Sequence, residues 1–249
     1  MSVTNKPQAQ YLKDYQAPQF SIHHIDLRFE LAPLKTTVQS TMTMSRTDNT
    51  EADLILDGVD LVLISLSVNN EKYDDYTLED EKLIIHHLPD SFTLKIKNHI
   101  DPQTNTSLEG LYLSGGAYCT QCEAQGFRKI TYYMDRPDIL ASFDVTIIAD
   151  QKYTHLLSNG NQIDAGTLDD GRHFVKWQDP FKKPSYLFAL VAGDFDVLRD
   201  HYTTKSGRNV ELALFVDKGN LAKTPHAMSS LKKSMQWDEE RFNLEYDLD

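Results

Sequence analysis

Positive charge is the first shortage in this sequence. Lys and Arg total 25 against 37 Asp and Glu, a formal net charge of −12 over 249 residues. Nucleic-acid binding needs clustered cations to neutralise phosphates, so no nucleic-acid partner is expected. Long apolar runs are also missing, and nothing approaches the roughly 18 residues that would span a bilayer. The opening MSVTNKPQAQYLKDY has no apolar core of signal-peptide length. There are only two cysteines, Cys119 and Cys122, which excludes a disulfide framework. A cytoplasmic protein with no membrane contact is therefore expected. There is no G-x-S-x-G elbow, no GxxxxGK[ST] phosphate loop and no H-E-x-x-H, so no complete catalytic constellation stands in the chain.

What is present is a succession of short β patterns. Residues 1–18 read as a polar entry arm. Phe20 and Ile22 share one parity, while Ile25, Leu27, Phe29 and Leu31 share the other, so a bulge is expected at His23-His24. Val38, Ser40, Met42 and Met44 line one face of a second strand, and Leu54–Leu56 is a third. Val62, Ile64, Leu66 and Val68 alternate on one face, ahead of a turn at Asn69-Asn70. Further strands are read at 83–85, 92–96 and 143–150, in HLLSNGN (155–161), which ends in a turn, and in RHFVKWQDP (172–180). PSYLFALVAGDFDVL (184–198) is apolar on both faces, as in a central buried strand. Strands at this spacing, with almost no helix, predict an all-β sandwich or saddle of packed sheets.

The pattern changes near residue 200. NVELALFVD (209–217) reads as one more strand. Thr224-Pro225 then looks like an N-cap with Pro at the first helical position, followed by Met228, Leu231, Met235 and Phe242 at helical spacing. Asn243 can close that helix. Leu244, Tyr246 and Leu248 would begin another strand, and a strand just starting at residue 249 suggests a truncated chain.

The candidate site is the stretch 109–144, which fits neither a plain strand nor a plain helix. A long irregular loop rich in aromatics is more often functional than disordered. The Cys119–Cys122 pair is open to three readings: two reduced structural thiols, a reversible disulfide, or a metal site lacking its other ligands. His23-His24 and His86-His87 are adjacent in strand patterns, so each pair is expected to point to opposite faces. Arg128, Asp135, Arg136 and Asp138 fit local ion pairs bracing the loop. Composition does not decide what Gln121 and Glu123 do.

LEGLYLSGGAYCTQCEAQGFRKITYYMDRPDILASFDVTIIAD (108–150) resembles the N-terminal part of the bacterial aminopeptidases N, the alanyl aminopeptidases of the zinc gluzincin family. LLSNG (156–160), KWQDPFKKPSYLFALVAGDFDVLRD (176–200) and SLKKSMQWDEERFNLEYDLD (230–249) match in the same order, while the earlier half fits more loosely. The resemblance implies a mainly β fold. A saddle-like β-sandwich domain would span 1–196, and 197–249 would be the truncated start, strand plus helix, of a thermolysin-like α/β catalytic domain. It implies that the T-Q-x-E segment supplies Gln121 and Glu123 to bind the free α-amino group of a peptide substrate. The family's G-x-M-E-N and H-E-x-x-H motifs are absent here. Zinc is thus implied for the full-length enzyme, with no cofactor and no catalytic residue in this chain, and the missing catalytic domain is its implied partner. On that reading the chain alone is inactive; the alternative is a stand-alone β-domain binding or interaction module.

Overall fold

A computed structural model describes residues 11–47 and 51–248. Residues 1–10 of the polar arm and Asp249 lie outside the described residues. The rest of the arm carries one short 3-10 turn, Leu12–Asp14.

The first two patterns become β1 (Phe20–Glu30) and β2 (Thr36–Arg46), paired antiparallel. The expected bulge is there: Ile22 faces Met44 and His24 faces Thr43, leaving His23 as the extra residue. One inserted residue lets both Ile22 and Ile25 reach the core. Then come β3 (Leu54–Asp57), β4 (Val62–Val68), β5 (Glu71–Lys72), β6 (Tyr76–Glu79), β7 (Lys82–Ile85) and β8 (Ser91–Ile100). Asn69 and Asn70 both take positive φ in the two-residue turn joining β4 to β5, as a tight hairpin requires. The strict alternation expected along β4 is corrected. Its register against β8 slips between Leu63 and Ser65, so Ile64 is the extra residue and stands 47% exposed, as does Val62 at 61%. Leu63 packs on the core instead. His86 and His87 are also corrected: they lie past the end of β7, with ring centroids 6.3 Å apart, and pair with Asp53 and Asp75.

The second half gives β9 (Gly110–Ser114), β10 (Ala117–Gln121), β11 (Ala141–Ala149), β12 (His155–Ser158), β13 (Asn161–Thr167), β14 (His173–Lys183) and β15 (Leu190–Gly193). The long buried strand expected at 184–198 is instead broken in two places. Pro184 cannot donate to a ladder and leads into a 3-10 turn, Ser185–Leu187. β15 ends at Gly193, where a Cβ would stand 2.4 Å from the Phe195 ring.

An eight-stranded sheet runs β13-β14-β11-β1-β2-β8-β4-β5. Its inner face carries Ile25, Leu27 and Phe29, then Val38 and Met42, Leu94 and Ile96, and Phe143, Val145 and Ile147. A four-stranded sheet, β12-β15-β10-β9, and a three-stranded one, β3-β7-β6, contribute Leu111, Tyr118, Leu190, Leu54, Leu56 and Ile85 to the same core. The chain is mainly β, as expected. Among the described residues no helix is long and apolar enough to cross a membrane.

From residue 195 the chain builds a second hydrophobic cluster. β16 (Phe195–Thr203) and β17 (Asn209–Asp217) make a hairpin, covered by helix α1 (Pro225–Phe242). Val210, Leu212 and Met228 form its own small core. Pro225 is at the helix start, but the Thr224 hydroxyl turns back to donate to the Leu221 carbonyl rather than capping. Asn243 closes α1 in the left-handed conformation. The strand expected from Leu244 does not form. Residues 243–248 lie against the β16–β17 turn instead: Glu245 accepts from the Ser206 N–H and hydroxyl at 2.7 and 2.6 Å, and Arg208 donates to the Leu248 carbonyl at 2.9 Å.

The β4 bulge separates two neighbouring aliphatics sharply. Leu66→Ala should cost roughly 2–5 kcal/mol, a buried truncation. Ile64→Thr should stay within about 0.5 kcal/mol, a surface change. Urea unfolding of both variants checks this; comparable losses would mean that Ile64 faces the core.

Candidate functional site

The β9–β10 hairpin turns at Gly115-Gly116, both at positive φ with open space where a Cβ would sit. β10 is held on both sides, by β9 along its length and by β15 at Tyr118 and Cys119. Thr120 reinforces the second pairing: its hydroxyl accepts from Leu190 N–H at 2.8 Å and donates to the Leu190 carbonyl at 3.2 Å. Gln121 is therefore the last residue of a fixed strand.

Beyond it the chain turns sharply. Gly126 N–H donates to the Cys122 carbonyl at 2.8 Å. A Cβ on Gly126 would lie 2.3 Å from the Gln121 carbonyl oxygen, so only glycine permits this close approach. A 3-10 turn, Phe127–Lys129, follows, and Phe127 drops into the core. There its ring packs against Tyr133, Phe188 and Phe143 at centroid distances of 4.9, 5.3 and 6.2 Å. A buried polar patch supports the next residues: Asn98 donates to the Ile130 carbonyl at 3.0 Å, and Thr131 donates to Asn98 at 2.9 Å.

The expected ion pairs are present and local. Arg128 Nε lies 3.1 Å from Asp135, and Arg136 pairs with Asp138 at 2.6 Å. They extend further than the local sequence indicates. Arg128 also reaches Asp57 at 3.5 Å, Lys82 pairs with Asp57, and Ser185 donates to Asp135 at 2.6 Å. Asp57, Lys82 and Ser185 escaped the sequence reading because Asp57 and Ser185 lie 50 or more residues from their partners in the loop, and Lys82 joins only through Asp57 on the neighbouring strand. The entry arm joins as well: Tyr15 donates to Asp138 at 3.0 Å and Arg136 donates to the Gln16 carbonyl at 2.8 Å.

Gln121 and Glu123 lie together at the outer end of this braced structure, both exposed. The Gln121 amide donates to the Glu123 carbonyl at 3.2 Å. The Glu123 carboxylate makes no ion pair among the described residues. The pair thus offers one carboxylate and one side-chain amide carbonyl to an incoming cation, on a backbone whose neighbours are fixed.

Cys119 and Cys122 are free thiols. Burial, then the nearby Asp135 charge, pushes Cys122 up to about 12; burial, then Asp217, raises Cys119. Neither is set up to react as a thiolate. Among the described residues no three His, Cys, Asp or Glu side chains converge as metal ligands. The donor set of the described residues does not fit a catalytic zinc.

The chain matches the peptidase M1 N-terminal domain over residues 19–187. It is 58% identical over 248 residues to aminopeptidase N of Escherichia coli, covering 99% of this chain and 28% of that protein. It is 53% identical over 245 residues to aminopeptidase N of Haemophilus influenzae, with 97% and 28% covered. Legionella pneumophila aminopeptidase A, solved with aspartic acid, superposes with a TM-score of 0.90 at 37% identity, over 96% of this chain and 29% of that one. The chain thus spans about 28% of the length of these curated relatives.

Two measurements check the site's chemistry. With its thiol near 12, about one Cys122 in ten thousand is thiolate at pH 8. Iodoacetamide should leave Cys122 unmodified in the native chain and label it on unfolding; rapid native labelling would contradict its burial. Asp138 titrates below the usual carboxylate range: burial raises it, but hydrogen bonds from Arg136 and Tyr15 outweigh that. A depressed carboxyl stabilises the fold above its unfolded pKa and loses that contribution as pH falls through its folded value. Protection of the Tyr15 amide, relative to its intrinsic exchange rate at each pH, should therefore be greatest above about pH 5 and fall below about pH 4. Asp138→Asn should abolish the step.

Proposed function

Because the chain belongs to the peptidase M1 N-terminal domain family, we propose that it is the N-terminal part of a zinc-dependent aminopeptidase acting on peptides in the cytoplasm. In this reading residues 1–196 are the saddle-shaped β-domain and 197–249 open the catalytic domain. The separate small core of β16, β17 and α1 supports that boundary. The chain contributes substrate binding and no catalytic group, and is inactive alone.

The role assigned to it is to hold the substrate α-ammonium between Glu123 and Gln121. The observation that carries this is the exposed Glu123 carboxylate, without an ion-pair partner among the described residues, on a loop braced by buried groups. An aminopeptidase must accept an N-terminal ammonium and refuse an internal amide. A carboxylate does both: it gains a charge-assisted hydrogen bond from the ammonium and is left unpaired by the amide.

The test joins this chain to the remaining length of the Escherichia coli relative and assays an aminoacyl anilide. A charged hydrogen bond worth about 1.5–3 kcal/mol corresponds to a loss of roughly 10- to 150-fold in kcat/KM on Glu123→Gln. An unchanged kcat/KM in an active chimera would remove the role given to Glu123.

A further inference from the structure

Glu123 is exposed, yet its position is set by a carboxylate that is not. The Asp135 side chain is 1% exposed. Its Oδ2 accepts from both the backbone N–H and Nε of Arg128, each at 3.1 Å. Arg128 Nη2 donates in turn to the Asp135 carbonyl at 3.1 Å. Those bonds fix the 3-10 turn at Phe127–Lys129. That turn is tied to the strand end by the Lys129 N–H to Gly126 and the Gly126 N–H to the Cys122 carbonyl, at 3.0 and 2.8 Å. Cys122 sits between Gln121 and Glu123.

The other carboxylate oxygen reaches the same place from the opposite side. Asp135 Oδ1 accepts from the Ser185 hydroxyl at 2.6 Å. Ser185 opens the turn that delivers β15, and β15 meets Thr120, next to Gln121, through the two Leu190–Thr120 bonds. One buried carboxylate thus anchors both the turn after Glu123 and the strand beside Gln121. Its own backbone is fixed by Asp57, which accepts the Asp135 N–H at 3.2 Å.

We propose that Asp135 is a positioning residue for substrate binding, acting through the Arg128 turn and the Ser185–β15 link to hold Gln121 and Glu123 where the substrate ammonium arrives. This rests on the amine-binding reading of those two residues. On that reading Gln121 and Glu123 meet the substrate amine and not the reacting bond, so loosening the loop should be visible in substrate binding while leaving the chemical step alone.

The experiment uses the same chimera. Asp135→Ala should raise KM for the anilide about tenfold with kcat within about twofold. Ser185→Ala, which removes one bond and no charge, should raise KM by a smaller factor, and serves if Asp135→Ala does not fold. The deciding measurement is the coupling: in a Gln121→Ala/Glu123→Gln background, Asp135→Ala or Ser185→Ala should add less than about twofold, because both groups they position are already gone. A purely structural role predicts effects that multiply. Multiplying effects, or an unchanged KM in the foldable variants, overturns the positioning role while leaving a Glu123→Gln effect intact. If Glu123→Gln alone changes nothing, it is the amine-binding reading that fails.

Discussion

A carboxylate withdrawn from water is the constraint on which the irregular half of this structure depends. Burying an ionised Asp costs several kcal/mol unless its oxygens are fully engaged. Asp135 meets that condition with Arg128 on one oxygen and Ser185 on the other. Such a group cannot be satisfied approximately, because each missing partner leaves a charge under-solvated in a low-dielectric interior. The loop is therefore driven toward the single arrangement that supplies all of them. Asp57 repeats the device from β3: its carboxylate meets Lys82, Arg128 and the Asp135 N–H, while its backbone exchanges bonds of 2.8 and 3.0 Å with Tyr133. Over residues 122–140, which lack regular sheet, these bonds and the local turns engage the N–H groups of Gly126, Arg128, Lys129, Tyr133 and Asp135 without forming a strand.

The sheets provide the frame that makes this bracing possible. The eight-stranded sheet offers one continuous apolar face, and two smaller sheets cover it, so β10 and β3 arrive on the same side of the core. Phe127 and Tyr133 fix the first half of the loop by packing, Phe127 also against Phe143 and Phe188, and the ion pairs of Arg128, Asp135, Arg136 and Asp138 fix its second half. Close backbone approach does the rest. Gly110 and Gly126 stand where any side chain would strike Lys129 or Gln121, so the hairpin and the turn after it lie against each other directly.

How much of this was legible in the sequence follows from the range of the interactions. Period-two apolar patterns report burial one residue at a time, and they located β1, β2, β8 and β11 well. The β1 bulge was visible because apolar residues changed parity across it. The β4 bulge was invisible because Ile64 stays in phase with Leu66 while being pushed outward. β5 and β6 are too short and polar to stand out. The strand imagined after Leu244 had the right alternation, but the Asn243 cap and the bonds from Ser206 and Arg208 take up that segment. The bracing of the site was half legible: Arg128 and Asp135 are close in sequence, whereas Ser185 and Asp57 join them only through the fold. Gln121 and Glu123 carry no pattern at all, and were singled out by resemblance alone.

Exposure of Glu123 also bears on how the two halves of such a site divide their work. An ion pair formed at an open surface is worth about 0–1 kcal/mol, because water already solvates both charges. The same contact in a water-excluded cleft is worth several times more. On this chain Gln121 and Glu123 are presented without a cover, so an amine meeting them here would gain little and be held loosely. Discrimination between an ammonium and an amide needs a second wall that expels water once the substrate is seated. The chain spans about 28% of its relatives' length, and a covering wall from the remainder would turn a fixed but weak contact into a selective one. On the proposed reading, rigidity and desolvation would be supplied by different parts of the polypeptide: the buried Asp135 network would set where the carboxylate stands, and an opposing surface how strongly it is felt.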